Sequence, residues 1–243
     1  MSSNHAIAKR LPDLPRWVEA RDLLLHGPCE VLGLEEKPGL SLVVRDPTTE
    51  LIVVIGRPAA PAIQEAVGRN VRGGELVALE EQATWLAGLL PGWTRTRAIL
   101  HLLRDPARLP VASAGQVGWL DPGTLDRLPL PEELRRELEI GAEDSPIAAT
   151  FVDRQPVSFC YAGAVTESLW DVSIDTLAEH RRRGYAGLCA AYMIRHMEAR
   201  GRRPVWGAVE ENPASWRLAR KLGFEPVDEL ALFAPGEHAA PPG

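Results

Sequence analysis

The sequence predicts an α/β protein with mixed sheets, built in two parts of similar size. Two observations carry that prediction: the order in which helix-period and strand-period segments alternate, and the stretch Arg104–Gln116, whose Pro, Ala and Ser content interrupts both patterns. A third is compositional. Across 243 residues, 45% are hydrophobic and 25% charged, enough apolar material for a sizeable core and too much for a disordered chain. No apolar run approaches the ~18 residues of a membrane span, so no membrane partner is expected.

The first part opens with an amphipathic helix from Leu14 to His26, where Leu14, Trp17, Val18, Leu24 and Leu25 recur at helical spacing before Gly27-Pro28. Leu40–Arg45 and Leu51–Ile55 are aliphatic runs around Asp46-Pro47-Thr48-Thr49, which predicts a hairpin. A helix from Pro58 to about Asn70, a strand Glu75–Leu79, a helix Glu81–Leu90 ended by Pro91-Gly92, and a strand Arg95–Leu103 complete it. The opening MSSNHAIAKRLPDLP lacks the apolar core of a secretory signal and the closing PGEHAAPPG reads as a frayed tail, so neither end is assigned a place in the fold.

In the second part, Glu132–Leu138 reads as a short charged helix. Ile147–Val152 and Val157–Ala164 form a hairpin around Asp153-Arg154-Gln155-Pro156, and Leu169–Thr176 is a third strand with Trp170, Val172, Ile174 and Thr176 on one face. From Gly184 to about Arg200, Ala186, Ala190, Met193, Ile194 and Met197 share a helical stripe that ends at Gly201. A strand Pro204–Val209, a helix begun by Asn212-Pro213 and a strand near Val227–Phe233 follow. The implied domains are 1–104, a linker at 105–116, 117–235, and a tail at 236–243.

The strand-to-helix junction at 176–186 carries the chemistry. Gly184 and Ala186 let a ligand approach the backbone, and the first amides of the helix have no partner inside it. Those amides and the helix dipole suit a pyrophosphate, and Arg181, Arg182 and Arg183 add formal positive charge. A solvated basic loop explains three arginines equally well, so the neighbouring elements decide between the readings.

Arg181-x-x-Gly184-x-Ala186, taken with Asn212-Pro213-Ala214-Ser215 and the ending Leu222-Gly223-Phe224, resembles the GNAT-type N-acetyltransferase superfamily over about Val117–Phe233. The resemblance implies a GNAT-like fold in the C-terminal half, preceded by a smaller α/β domain that is itself a degenerate GNAT-like half. It implies acetyl-CoA as acyl donor, with the amides of Arg182, Arg183, Gly184, Tyr185, Ala186 and Gly187 on its pyrophosphate. The strand edge at Ile174–Thr176 would take the pantetheine amides by strand addition, and Asn212 falls at the second CoA-contacting motif.

The sequence departs from that family where many members place a tyrosine to protonate the departing thiolate: here the residue is Ala219. Ser215, one turn earlier, is the candidate that remains on this helix, with a small interior residue as its bland reading; Tyr185 and Tyr192 are further candidates. A general base must also keep the attacking amine neutral. Glu167, Asp171, Glu210 and Glu211 are the nearby carboxylates, and Glu167 is favoured, with a pKa raised by burial near Trp170.

Other conspicuous residues have plain readings. Cys29, Cys160 and Cys189 form no C-x-x-C pair, so neither disulfides nor a zinc site is expected and a reducing cytosol fits. His101, His180 and His196 lack metal-ligand spacing, so no metal is expected. Thirty-three acidic against 27 basic residues leave a net charge of −6, which excludes a global pull toward nucleic acid. Arg72-Gly73-Gly74 precedes a strand and reads as a turn, so the first part has no phosphate cradle and is expected to shape the acceptor pocket.

The expected activity is N-acetyl transfer to a small-molecule or protein amine by direct attack, with backbone amides near Val172–Ile174 polarising the thioester carbonyl. Two alternatives stand beside it: a non-catalytic acyl-CoA-binding or regulatory module, motivated by Ala219, and a structural domain that binds nothing. A homodimer is left open.

Overall fold

The computed structural model describes residues 3–36, 39–71 and 73–236. The chain divides into two compact units that interleave in sequence. The first takes the described residues up to Leu100, Ala208–Pro213, and those from Val227 onward; the second takes His101–Gly207 and Ala214–Pro226.

The first unit begins with helix α1 (Ser3–Ala8), in a stretch to which the sequence assigns no element. Ile7, Ala8 and Leu11 are buried, and that anchoring is what orders a six-residue helix too short to stand on propensity. A 3-10 turn (Pro15–Trp17) leads into α2 (Val18–His26). Strands β1 (Glu30–Glu35), β2 (Ser41–Arg45), β3 (Ile52–Ile55) and β4 (Leu76–Leu79) follow, with α3 (Ala60–Gly68) between the last two. After β4 come a 3-10 turn (Glu80–Gln82), α4 (Ala83–Leu89) and β5 (Trp93–Leu103).

β1 pairs antiparallel with β2 and β2 with β3, whereas β3 and β4 run parallel. The alternation of strand side chains sends them to two cores. Leu42, Val44, Val53 and Ile55 pack on α1 and α2, while Val43, Ile52, Val54 and Leu76 pack on α3 and α4. β1 had no readable signal, being half-buried at best along its length.

The second unit contains β6 (Val117–Trp119), α5 (Glu132–Asp144), β7 (Ala148–Val152), β8 (Gln155–Val165), β9 (Leu169–Thr176), α6 (Tyr185–Glu198), β10 (Arg203–Val209) and α7 (Pro213–Lys221). A last strand, β11 (Phe224–Pro235), leads back to the first unit, where it pairs antiparallel with β4 from Leu230 to Phe233. Within the second unit the order is β10-β9-β8-β7-β6, antiparallel except for the parallel pair β9 and β10.

α5 covers one face of this sheet: Leu138 packs with Phe159, Tyr161, Ile147 and Ala149. At Gly141 a Cβ would come within 2.5 Å of the Tyr161 ring, so the glycine is what lets the helix lie this close. α6 approaches through its buried small residues Gly187, Cys189, Ala190 and Ala191, and Cys189 Sγ lies 3.1 Å from the Ala148 carbonyl of β7. The stretch 104–116 has no strand or α-helix, but it is tied down: Leu109 is buried, and Arg195 donates to the carbonyls of Leu109 and Pro110 at 3.2 and 3.0 Å.

Candidate acyl-transfer site

β9 ends at Thr176 and the chain turns through a 3-10 segment (Ala178–His180) into α6. Arg181 Nε donates to the Thr176 carbonyl at 3.0 Å, which clamps the turn to the strand end. Arg182 and Gly184 then both adopt left-handed backbone, at φ 61° and 87°, and Gly184 becomes the N-cap of α6. The first helix amide that bonds back is Leu188, to the Gly184 carbonyl at 3.3 Å. Tyr185, Ala186 and Gly187 therefore precede the first intrahelical bond, and their N–H groups stand at the positive end of a fourteen-residue helix.

Among the described residues Arg181, Arg182 and Arg183 form no salt bridge, and all three are exposed. No atom lies within 4 Å of where a Gly184 Cβ would stand, so the space beside this cap is open. Helix-start amides without intrahelical partners, the exposed Arg182 and Arg183 and open space suit a pyrophosphate.

The strand that feeds the junction has an open edge. β9 pairs with β10 only through Leu169↔Arg203, Trp170↔Pro204 and Asp171↔Val205, although both strands continue beyond. Ile174 and Thr176 lie on the part of β9 that keeps β8 on one side and has left β10 on the other. The Thr176 carbonyl is already taken by Arg181, and its hydroxyl lies 2.8 Å from Ser158 Oγ.

Asp171 stands where the two strands part. Burial pushes its carboxyl up to about 7, while the N–H groups of Val172 and Gly207 pull the other way. Part of its surface stays open because Gly163 of β8 has no side chain: a Cβ there would sit 3.3 Å from Asp171 Oδ2 and 2.8 Å from Ser173 Oγ. The period of two places Ser173 and Asp175 on the same face, with Tyr161 opposite Ser173.

Other acids crowd that face. Burial raises the pKa of Asp175, which Arg181 partly offsets. Glu137 of α5 is raised by burial and then by Asp175 and Glu133, and the Tyr161 hydroxyl, hydrogen-bonded to Ser173, is pushed well up by burial and the carboxylates around it. The arrangement can accept a proton at Asp171 and attract a cation along β9.

Several sequence-predicted residues stand elsewhere or are engaged. Glu167 is exposed in the turn between β8 and β9, at the amino end of β9 and roughly 25 Å of strand from the loop. Trp170 is fully buried, and burial raises the carboxyl of Asp171, next to it in sequence. Ser215 accepts a 2.9 Å hydrogen bond from the buried Trp206 indole, a structural duty that its spacing in α7 does not reveal. Asn212 is exposed just ahead of α7, falls with the first unit, and donates its N–H to the Val209 carbonyl.

Ala219 is fully buried on α7. Tyr185 begins α6, its carbonyl accepting from Thr150 Oγ1, and Tyr192 stacks edge-on to Trp119 with centroids 4.9 Å apart. Burial pushes the Cys189 thiol up to about 12, too far for a nucleophile. Arg72 and the tail beyond Gly236 lie outside the described residues, while Gly73, at φ 82°, precedes β4 in a turn. Among the described residues no three His, Cys, Asp or Glu side chains group as metal ligands, and no helix is long and apolar enough to cross a membrane.

Residues 148–233 match the family model described as GNAT acetyltransferase. The fold is shared over nearly the whole chain. A GCN5-related N-acetyltransferase-like protein from Streptococcus suis superposes at TM-score 0.72 with 18% identity, covering 95% of this chain and 97% of that one.

A GCN5-related N-acetyltransferase from Kribbella flavida covers 98% of each chain at TM-score 0.59 and 18% identity. A protein described as a tandem GNAT protein from the clavulanic acid biosynthesis pathway covers 89% of this chain and 86% of its own, at TM-score 0.53 and 16% identity. No curated protein matches the sequence.

Proposed function

We propose that the chain is an acetyl-CoA-dependent N-acetyltransferase whose donor lies along β9 and over the start of α6. One observation carries the reading: β9 leaves β10 at Asp171, and the edge it exposes runs straight to the unpaired amides of Tyr185–Gly187. The donor supplies an activated thioester. Arg182, Arg183 and the helix amides would hold its pyrophosphate, and the free edge of β9 its amide groups.

The chain's own chemistry centres on Asp171. As a carboxylate it takes a proton from the attacking ammonium or amine; the amine nitrogen bonds to the acyl carbon, the C–S bond breaks and the thiolate leaves. Backbone amides near Val172–Ile174 would polarise the carbonyl. Asp175, on the same face of β9 as Asp171, and Glu137 near it suit an acceptor that is cationic when free, which is the state of most amines at neutral pH. A net charge of −6 and the absence of a membrane-spanning helix among the described residues fit a small-molecule or protein amine met in the cytoplasm.

A second reading, a non-catalytic acyl-CoA-binding module, is favoured by the buried Ala219, which leaves α7 without a proton donor for the thiolate. The readings separate on turnover. Thiol release from acetyl-CoA with a panel of amines, lost in Asp171→Asn while acetyl-CoA still binds, supports the enzyme. Binding without release above background across the panel supports the module.

A further inference from the structure

The first unit holds a cavity of about 460 Å3 at the carboxyl ends of β3 and β4. Ile55 closes β3, Leu79 closes β4, and both form its floor with the buried Leu11. Crevices outside the carboxyl ends of neighbouring parallel strands are where open α/β sheets bind small molecules, because the connections diverge there and leave room. The volume falls within the roughly 300–1,000 Å3 of pockets that enclose such ligands.

The two strands register only at Ile52↔Leu76 and Val53↔Val77, and Gln82 spans the gap beyond. Its Oε1 accepts from Leu79 N at 3.0 Å and its Nε2 donates to the Gly56 carbonyl. This amide is engaged with the fold at both ends, so recognition in the cavity falls to the groups around it.

Trp17 and Leu40, both half-buried, form apolar walls. Three charges stand at the rim. Arg10 is paired with Glu36 at 2.6 Å, and Glu81 lies in the field of Arg16. Arg57, which lines the cavity, has no carboxylate partner among the described residues, and its guanidinium carbon lies 5.7 Å from the centroid of the Trp85 ring.

We infer that this cavity binds a small carboxylate with an apolar body, aliphatic or aromatic. Its carboxylate meets Arg57 by a two-point hydrogen bond, and its body lies between Trp17, Ile55 and Leu79. A phosphorylated ligand is disfavoured, since Pro58 has no N–H and Pro61, in the first turn of α3, removes another of the amides that would cradle phosphate. The site is therefore distinct in chemistry from the acyl-donor junction and does not depend on it.

The test is calorimetric titration of the full chain with phenylacetate and hexanoate, against phenylacetamide and hexanamide as uncharged counterparts. Each acid is expected to bind at least tenfold more tightly than its amide. Arg57→Gln, at an exposed position that tolerates substitution, should abolish that preference and leave amide binding unchanged; Arg57→Lys, keeping charge without the fork, should retain part of it. Leu40→Trp should weaken all four by filling the cavity, and Gly184→Asp should alter none. Equal binding of acids and amides, no binding of either acid at millimolar concentration, or a preference that survives Arg57→Gln would overturn the inference.

Discussion

Each unit joins two parallel strands through a helix, β3 to β4 through α3 and β9 to β10 through α6, and the two junctions treat their first backbone amides in opposite ways. After β3 the chain makes its helix within a few residues, and two prolines remove donors from the start. After β9 it takes a longer path, passes through two left-handed residues and delivers three successive amides with no intrahelical acceptor. The gap between the strands differs as well. Gln82 closes it in the first unit with a donor and an acceptor, while Asp171 stands in it in the second with a carboxylate that burial keeps easy to protonate. On the readings proposed above, the same arrangement of strands and helix serves recognition of a small carboxylate at one place and donor binding with proton transfer at the other.

Asp171→Asn should strike the second junction hardest. Removing the base is expected to lower kcat about 10²–10⁴-fold with acetyl-CoA affinity unchanged, read by steady-state kinetics beside calorimetry. In the wild type, kcat/KM should rise with pH to a plateau above about 7, where the carboxyl has lost its proton, and the substitution should remove that limb. The sign for stability is opposite. A carboxyl near 3.9 when unfolded and about 7 when folded binds its proton more tightly in the native state, so its contribution is full below about 4 and is lost as pH rises to about 7. Denaturant unfolding at pH 8 should accordingly show Asp171→Asn more stable than wild type; a variant less stable there would count against a carboxyl whose burial outweighs its Val172 and Gly207 hydrogen bonds.

Gln82→Ala would damage the first junction without touching the second. It leaves the Leu79 N–H and the Gly56 carbonyl without their partner, a cost of about 2–4 kcal/mol seen as a lower denaturation midpoint, while acetyl-CoA affinity stays the same. Smaller still is Ser215→Ala. Leaving the Trp206 indole N–H unsatisfied should cost about 1–2 kcal/mol of stability, with kcat preserved; a loss of kcat at full stability would return Ser215 to the reaction.

Much of this was legible because the strands and helices follow their periods cleanly. β9 runs over the residues that alternation predicts, and the arginine-and-glycine junction shows in the residue types alone, since only a left-handed cap needs glycine there. α1 was hidden because six residues contain fewer than two turns of pattern, and β1 because its burial fades toward one end.

The enclosed carboxylate was hidden for a different reason. Glu167 and Asp171 are equally acidic in sequence, and only the parting of β9 from β10 shows that Asp171 is enclosed. The same holds for Ser215, whose partner Trp206 comes from the neighbouring strand, and for the interleaved units, since nothing local says that 208–213 returns to the first.

The most direct measurement is a thermal-shift titration with acetyl-CoA of wild type and Gly184→Asp. Gly184 has open space beside it, so the aspartate costs only the left-handed backbone, about 1–2 kcal/mol, and the variant folds. In the wild type, ligand at a hundredfold excess over Kd should stabilise by about 2.7 kcal/mol, and in the variant, with a negative charge facing the pyrophosphate, that stabilisation should vanish. Equal shifts in both proteins, or none in the wild type at millimolar ligand, would contradict the assignment of the donor to the β9–α6 junction.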